Sequence, residues 1–168
     1  MDWRSAWRCC ICWVAARRLN KKDLVNIDSA IRRLRELNEP VPKPLRLPTE
    51  SEVTEAEELL GIVFLPDYKK FLLEASDVVF GVLEPGIVIP NCGHLALVPM
   101  ANNAWTKMGL PRELLPICED NADFYCLTRS NEVVFWSHNG RDGRKWSDIA
   151  TWINDVWIDE YLEMSRES

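Results

Sequence analysis

The chain has 168 residues, of which 47% are hydrophobic and 27% charged, and it carries a net charge of −6. These values are those of a globular protein with one domain and a real core. Residues 1–44 hold ten Lys/Arg against five Asp/Glu and net +5, whereas residues 45–168 hold ten against twenty-one and net −11. An acidic body argues against a nucleic-acid partner, because phosphate-backbone binding needs Lys and Arg to displace counterions. It favours a basic protein partner, since opposite fields steer encounter.

Residues 1–22 form a basic extension. Cys9 to Ala16 is an apolar run of eight residues, far short of the ~20 that a stable membrane span needs. Arg17, Arg18, Lys21 and Lys22 close the run, unlike the small, uncharged end of a signal peptide. A basic helix lying on a membrane surface is one reading; a dispensable extension is the preferred one. Cys9, Cys10 and Cys12 lack a second ligand pair at zinc-finger spacing, so no metal site is expected. Together with Cys92, Cys118 and Cys126 they make no disulfide framework, which predicts reduced thiols and a cytoplasmic home. Cys118 and Cys126 lie in strand-like runs and are expected in the core.

Residues 23–48 read as a leading helix and a connector. Leu24, Ile27, Ala30, Ile31, Leu34 and Leu37 share one helical face, with Asp23 as the expected cap. Prolines at 40, 42, 44 and 48 make the connector stiff and extended. Thr49 and Glu52 then form a capping box, and Gly61 is the expected left-handed terminator of the helix they start. Pro66 suits the first turn of the next helix, where Tyr68, Phe71, Leu72 and Ala75 face inward.

From Val78 the periodicity changes. Val78 to Leu83 and Ile87 to Ile89 read as short strands around Pro85-Gly86, and Leu95 to Pro99 as another. Residues 101–108 are polar and fit a short helix or a loop. Leu115 to Cys118 and Phe124 to Leu127 read as paired strands around the acidic turn 119–123. Glu132 to His138 adds a strand, and residues 147–162 a last helix with Ile149, Trp152, Ile153, Val156, Trp157 and Tyr161 on one face. The order predicts an α+β fold, with N-terminal helices and a C-terminal helix packed on one face of a mainly antiparallel sheet. The body of the domain is expected over 49–163.

Several short patterns recur in a fixed order: Leu47-Pro48-Thr49, Glu57 to Gly61, Leu65-Pro66-Asp67-Tyr68 with Phe71-Leu72, and Leu115-Pro116-Ile117. Asp123 to Leu127, Val134 to His138, and Trp146-Ser147 with Ile149, Trp152 and Ile153 complete the set. In this order, over about residues 45–158, the chain resembles the SUKH superfamily of fungal cell-wall-assembly regulators and bacterial immunity proteins. It departs from the family at Ala75-Ser76-Asp77, where members often carry Asn-Gly, and at Asn121-Ala122, where they often carry glycines. The resemblance implies a non-enzymatic binding domain, of a kind that in bacteria commonly neutralises toxins, often nucleases.

The residues supply little chemistry. His94 and His138 are the two histidines. Ser137 and His138 are strand neighbours, so they point to opposite faces and do not pair as nucleophile and base. No phosphate-cradling or nucleophile-elbow motif occurs, and no cofactor is expected. Glu119, Asp120 and Asp123 lack the glycine and closing glutamate of a calcium loop. They are either solvated turn carboxylates or part of an acidic face for a basic toxin surface. Trp105, in the polar stretch 102–107, is the candidate exposed anchor. The expected function is therefore an immunity-type protein that covers a toxin. A regulatory adaptor and a metal-dependent hydrolase are the alternatives.

Overall fold

The computed structural model describes residues 26–140 and 143–167. The basic extension, and Asp23 and Leu24 of the leading helix, lie outside the described residues. Helix α1 (Ile27–Glu36) is capped by Asn26, whose side chain accepts from the Ser29 N–H at 2.9 Å while the Ser29 hydroxyl meets the Asn26 N–H at 3.1 Å. Helix α2 (Glu50–Leu60) opens on the Thr49–Glu52 box and ends at Gly61, whose φ of 65° is the left-handed cap. Arg46 grips the Glu52 carboxylate at 2.8 and 2.5 Å. That guanidinium first, and the Thr49 N–H second, hold the carboxyl down to about 2.

Helix α3 (Pro66–Ala75) starts at once, with Pro66 in its first turn. Glu57 fixes the corner between α2 and α3: it accepts from the Phe64 N–H at 2.5 Å and pairs with Lys69 at 2.9 Å. Helix α4 (Leu97–Lys107) replaces the expected strand at 95–99 and decides 101–108 in favour of helix. Pro99 is its third residue, where no intrahelical N–H bond is lost.

The sheet has the order β1-β2-β3-β4, all neighbours antiparallel: β1 (Leu115–Asp120), β2 (Asp123–Leu127), β3 (Val133–Trp136) and β4 (Lys145–Trp146). A bulge between Pro116 and Cys118 lets the Ile117 carbonyl accept from the Gly86 N–H at 2.7 Å. The segments expected as strands at 78–83 and 87–89 are not strands; only single bridges form, Pro85 to Cys118 and Ile87 to Ala96. Their apolar residues Val78, Phe80, Ile87 and Val88 are buried as loop. The run carries a core signal without a partner strand to complete a ladder. Phe124, Tyr125, Cys126 and Leu127 are all at most 4% exposed, so β2 is covered on both faces rather than one.

The last helix departs from a plain α-helix. After α5 (Ile149–Trp152) the chain winds as a π-helix over Ile153–Glu160 and returns to α-helix in α6 (Tyr161–Glu167). Bonding to the fifth residue widens the turn. It thereby brings Trp152 and Trp157, five apart, into one core, with 0% and 2% exposure. Helix α1 locks this element. Arg33 donates to the Asn154 side chain at 2.9 Å and pairs with Asp159, and buried Asn154 returns a bond to the Ala150 carbonyl at 2.9 Å.

Aromatic contacts run through the whole core. Tyr68 meets Phe71 at 6.2 Å between ring centroids, Phe71 meets Trp157 at 6.1 Å, and Trp157 meets Trp152 at 6.1 Å. Trp152 lies 5.4 Å from Tyr125 of β2, which in turn touches Phe135 and Trp146. Tyr68 is fully buried, yet its hydroxyl finds no hydrogen-bond partner. Burial pushes that phenol far up. Tyr68→Phe should therefore leave stability unchanged or raise it by up to ~1 kcal/mol, because an unsatisfied buried hydroxyl is a cost. Phe71→Ala in the same row should cost about 3–5 kcal/mol. Urea unfolding of both variants checks the pair, and a clear loss in Tyr68→Phe would mean that the hydroxyl has a partner after all.

The β1–β2 hairpin turns through Asn121 and Ala122, both with positive φ, 52° and 70°. Asp120 pairs with Asp123 across it, which makes a two-residue loop of the kind that matches strand twist. The departure from glycine at Asn121-Ala122 does not lengthen the turn; an alanine occupies a left-handed position instead. That conformation crowds Cβ against the carbonyl. Ala122→Gly should raise stability by ~1 kcal/mol, read as a higher thermal midpoint.

Candidate functional site

Three of the four residues singled out in the sequence meet at the tip of the β1–β2 hairpin. Glu119 is exposed, while Asp120 and Asp123 are half-buried. The tight turn sets Asp120 opposite Asp123. Asp120 accepts from the Asn121 amide at 2.8 Å, which fixes its carboxylate beside the turn. Asp123 accepts from both the His138 N–H at 3.1 Å and the His138 Nδ1 at 2.7 Å. Burial works to raise the Asp123 carboxyl, but the bonds from His138 and Ser137 outweigh it and hold the group below its usual range.

The Asp123–His138 contact joins the ends of β2 and β3. Ser137 gives its hydroxyl bond to the carboxylate and accepts from the Asn139 N–H at 3.2 Å. Among the described residues no three His, Cys, Asp or Glu side chains gather as a metal site.

A fourth carboxylate, Glu84, joins the face through the Pro85–Cys118 bridge. It is exposed and meets the His94 imidazole at 3.1 Å. The buried Cys118 thiol registers this field. Burial first pushes it up, to about 12, and Asp120, Glu84 and Glu119 add to the push against a hydrogen bond at Glu84. Nothing in the sequence marked Glu84, because the bridge that brings it to β1 spans a loop of no periodic pattern.

Trp105 is elsewhere. It is half-buried on α4, its indole N–H donates to the Leu114 carbonyl at 2.8 Å, and the Arg112 guanidinium lies 4.0 Å over its ring. Leu114 precedes β1, so Trp105 stands at the opposite end of the hairpin from the acidic turn, roughly 15 Å along the strand. The polar sequence around Trp105 predicted exposure. Asn102, Asn103, Thr106 and Lys107 do face solvent, but the ring turns toward Leu114. The acidic turn and Trp105 are therefore two separate surfaces. No helix among the described residues is long and apolar enough to cross a membrane.

The arrangement also has counterparts among known proteins. A solved structure of a protein from Pseudomonas syringae pv. tomato is 42% identical, covers 81% of this chain and 98% of its own, and superposes with a TM-score of 0.73. No curated protein matches. The model of the SMI1-KNR4 cell-wall family matches residues 27–158, from the first residue of α1 into the π-helix. This chain, with its capped helices, its four-stranded meander and its wound C-terminal helix, belongs to that SUKH-type family.

Proposed function

We propose that this protein is an immunity-type binding domain that neutralises a basic toxin domain, a nuclease, by covering its active surface. It acts in the cytoplasm and without catalysis or cofactor. The observation that carries the reading is the set of carboxylates Glu119, Asp120 and Asp123 at the β1–β2 hairpin tip, with Glu84 beside them across the Pro85–Cys118 bridge, on a fold of the SUKH type. A nuclease surface is built to attract phosphates, so carboxylates fixed at a turn are complementary to it and speed encounter. The acidic balance of residues 45–168 extends the same field over the body. A regulatory adaptor is the second reading; the cell-wall description of the family favours it.

Co-expression with the toxin encoded beside its gene tests the proposal. Rescue of growth and a complex that survives purification are expected. Absence of both would remove the immunity reading and leave the adaptor. Within a complex, Glu119→Lys with Asp120→Lys should slow association about tenfold or more at low salt, and the deficit should shrink as salt is added. Stopped-flow association rates read this directly, and an unchanged on-rate places the interface away from the hairpin tip.

A further inference from the structure

Both histidines of the chain contact a carboxylate of the acidic face. His138, just after β3, reaches Asp123 through Nδ1 at 2.7 Å. His94, in the short turn Gly93–Leu95 before α4, reaches Glu84 through Nε2 at 3.1 Å. The two come from separate loops and use different ring nitrogens. Their side chains are 46% and 77% exposed, so both rings are open to solvent and to a partner.

The contacts fix where the ring protons lie. Against its burial, the bonds from His138 and Ser137 hold the Asp123 carboxyl below its usual range. An ionised carboxylate only accepts, so the proton in that contact belongs to His138 Nδ1. In the neutral ring Nε2 is then a bare acceptor. At His94 the order is reversed: Nε2 donates to Glu84 and Nδ1 is the bare acceptor. The groups around each ring leave these charges uncompensated. His138 faces Asp123 on β2, with Asp120 and Glu119 across the turn on β1. The described cations nearby are engaged elsewhere, Arg144 over the Phe135 ring at 4.1 Å and Lys145 with Glu132 at 3.2 Å. His94 faces Glu84, the neighbouring Cys92 thiol donates to the Ile89 carbonyl at 3.0 Å, and the first turn of α4 carries no charge.

We infer that His94 and His138 make the acidic face a proton-controlled surface, open to the guanidinium and ammonium groups of a basic partner when both rings are neutral and weakened when they are protonated. Each proton turns an exposed acceptor into a donor and adds one positive charge. Two protons therefore take Glu84, Glu119, Asp120, Asp123 and the two rings from four net negative charges to two. An imidazole ordinarily gains its second proton between about pH 5 and 8, where ordinary carboxylates stay ionised. As pH falls through that range the face loses half its charge and sets cations against a cationic partner, which slows encounter and weakens binding. The biological role of the switch rests on the immunity reading; the surface chemistry belongs to the free chain and is tested there.

Long-range proton–nitrogen NMR of the free chain at neutral pH reads the tautomers. His138 should carry its proton on Nδ1 and His94 on Nε2. A fluorescein-labelled nona-arginine peptide then probes the face. Its affinity should fall about threefold or more from about pH 7.5 to about pH 5.5, and the fall should shrink as salt is added. His94→Gln combined with His138→Gln should hold the affinity nearly constant over that interval, because glutamine keeps an N–H for each carboxylate and takes up no proton. Glu119→Lys with Asp120→Lys should weaken the peptide at both ends of the interval, which places it on this face. His138 found with its proton on Nε2, or a pH dependence that survives the double glutamine variant, would overturn the inference. A chain that passes these measurements and still fails to rescue growth from the toxin keeps the switch and loses only the immunity reading.

Discussion

The structure depends on a continuous row of aromatic rings that ties the helices to the sheet. Tyr68 and Phe71 hold α3, Trp157 and Trp152 hold the C-terminal helix, and Tyr125 carries the contact into β2 and on to Phe135 and Trp146. Each such pair adds ~0.5–1.5 kcal/mol beyond the area it buries. More to the point, the row sets distances. The C-terminal helix must deliver two tryptophans to neighbouring places in it, and the π-helical winding is the backbone solution to that demand. The Trp157 indole is satisfied by the Phe80 carbonyl at 2.9 Å, which draws the long loop after α3 onto the same row.

What the row leaves free is a hairpin anchored in its middle and open at both ends. Tyr125 and its neighbours are buried, so the turn at 120–123 and the entry at 112–115 are presented by one strand pair set in the core. Their linings differ. One end gathers carboxylates, with both histidines at its edge, bonded to Glu84 and Asp123. The other end pairs leucines with guanidiniums.

Local signals in the sequence foretold most of the elements that local chemistry builds. Thr49 with Glu52, Gly61 and Pro66 mark the ends of α2 and α3 because capping and terminating residues act within one turn. The acidic hairpin was legible because four polar residues and Ala122 separate two apolar runs. The misses share a cause, which is that a distant partner decided the outcome. The runs at 78–83 and 87–89 have strand composition, but β1 offers its outer edge for one bridge only. β4 is two residues long and has no pattern of its own; β3 recruits it. Helix α4 was obscured by Pro99, which reads as a breaker until its position in the first turn is known. Trp105 lies in a polar stretch as expected but is half-buried rather than fully exposed, since its indole bonds a carbonyl nine residues away. The acidic turn of the candidate site was therefore visible from composition. The place of Glu84 beside it was not, because the bridge that brings it to β1 joins segments far apart in the chain.

The π-helix makes the segment 153–160 sensitive to length more than to identity. Each residue of an ordinary helix advances the chain by about 100° around its axis. Removing one residue from the widened turns would change the winding there and shift the rotation at which α6 begins. Tyr161 packs 5.1 Å from Phe80, against a glycine, Gly81, where an added Cβ would lie 2.8 Å from its ring. That fit tolerates no such rotation. An insertion or deletion within 153–160 would therefore part Tyr161 from Phe80 and Gly81 and release the end of the chain from the core.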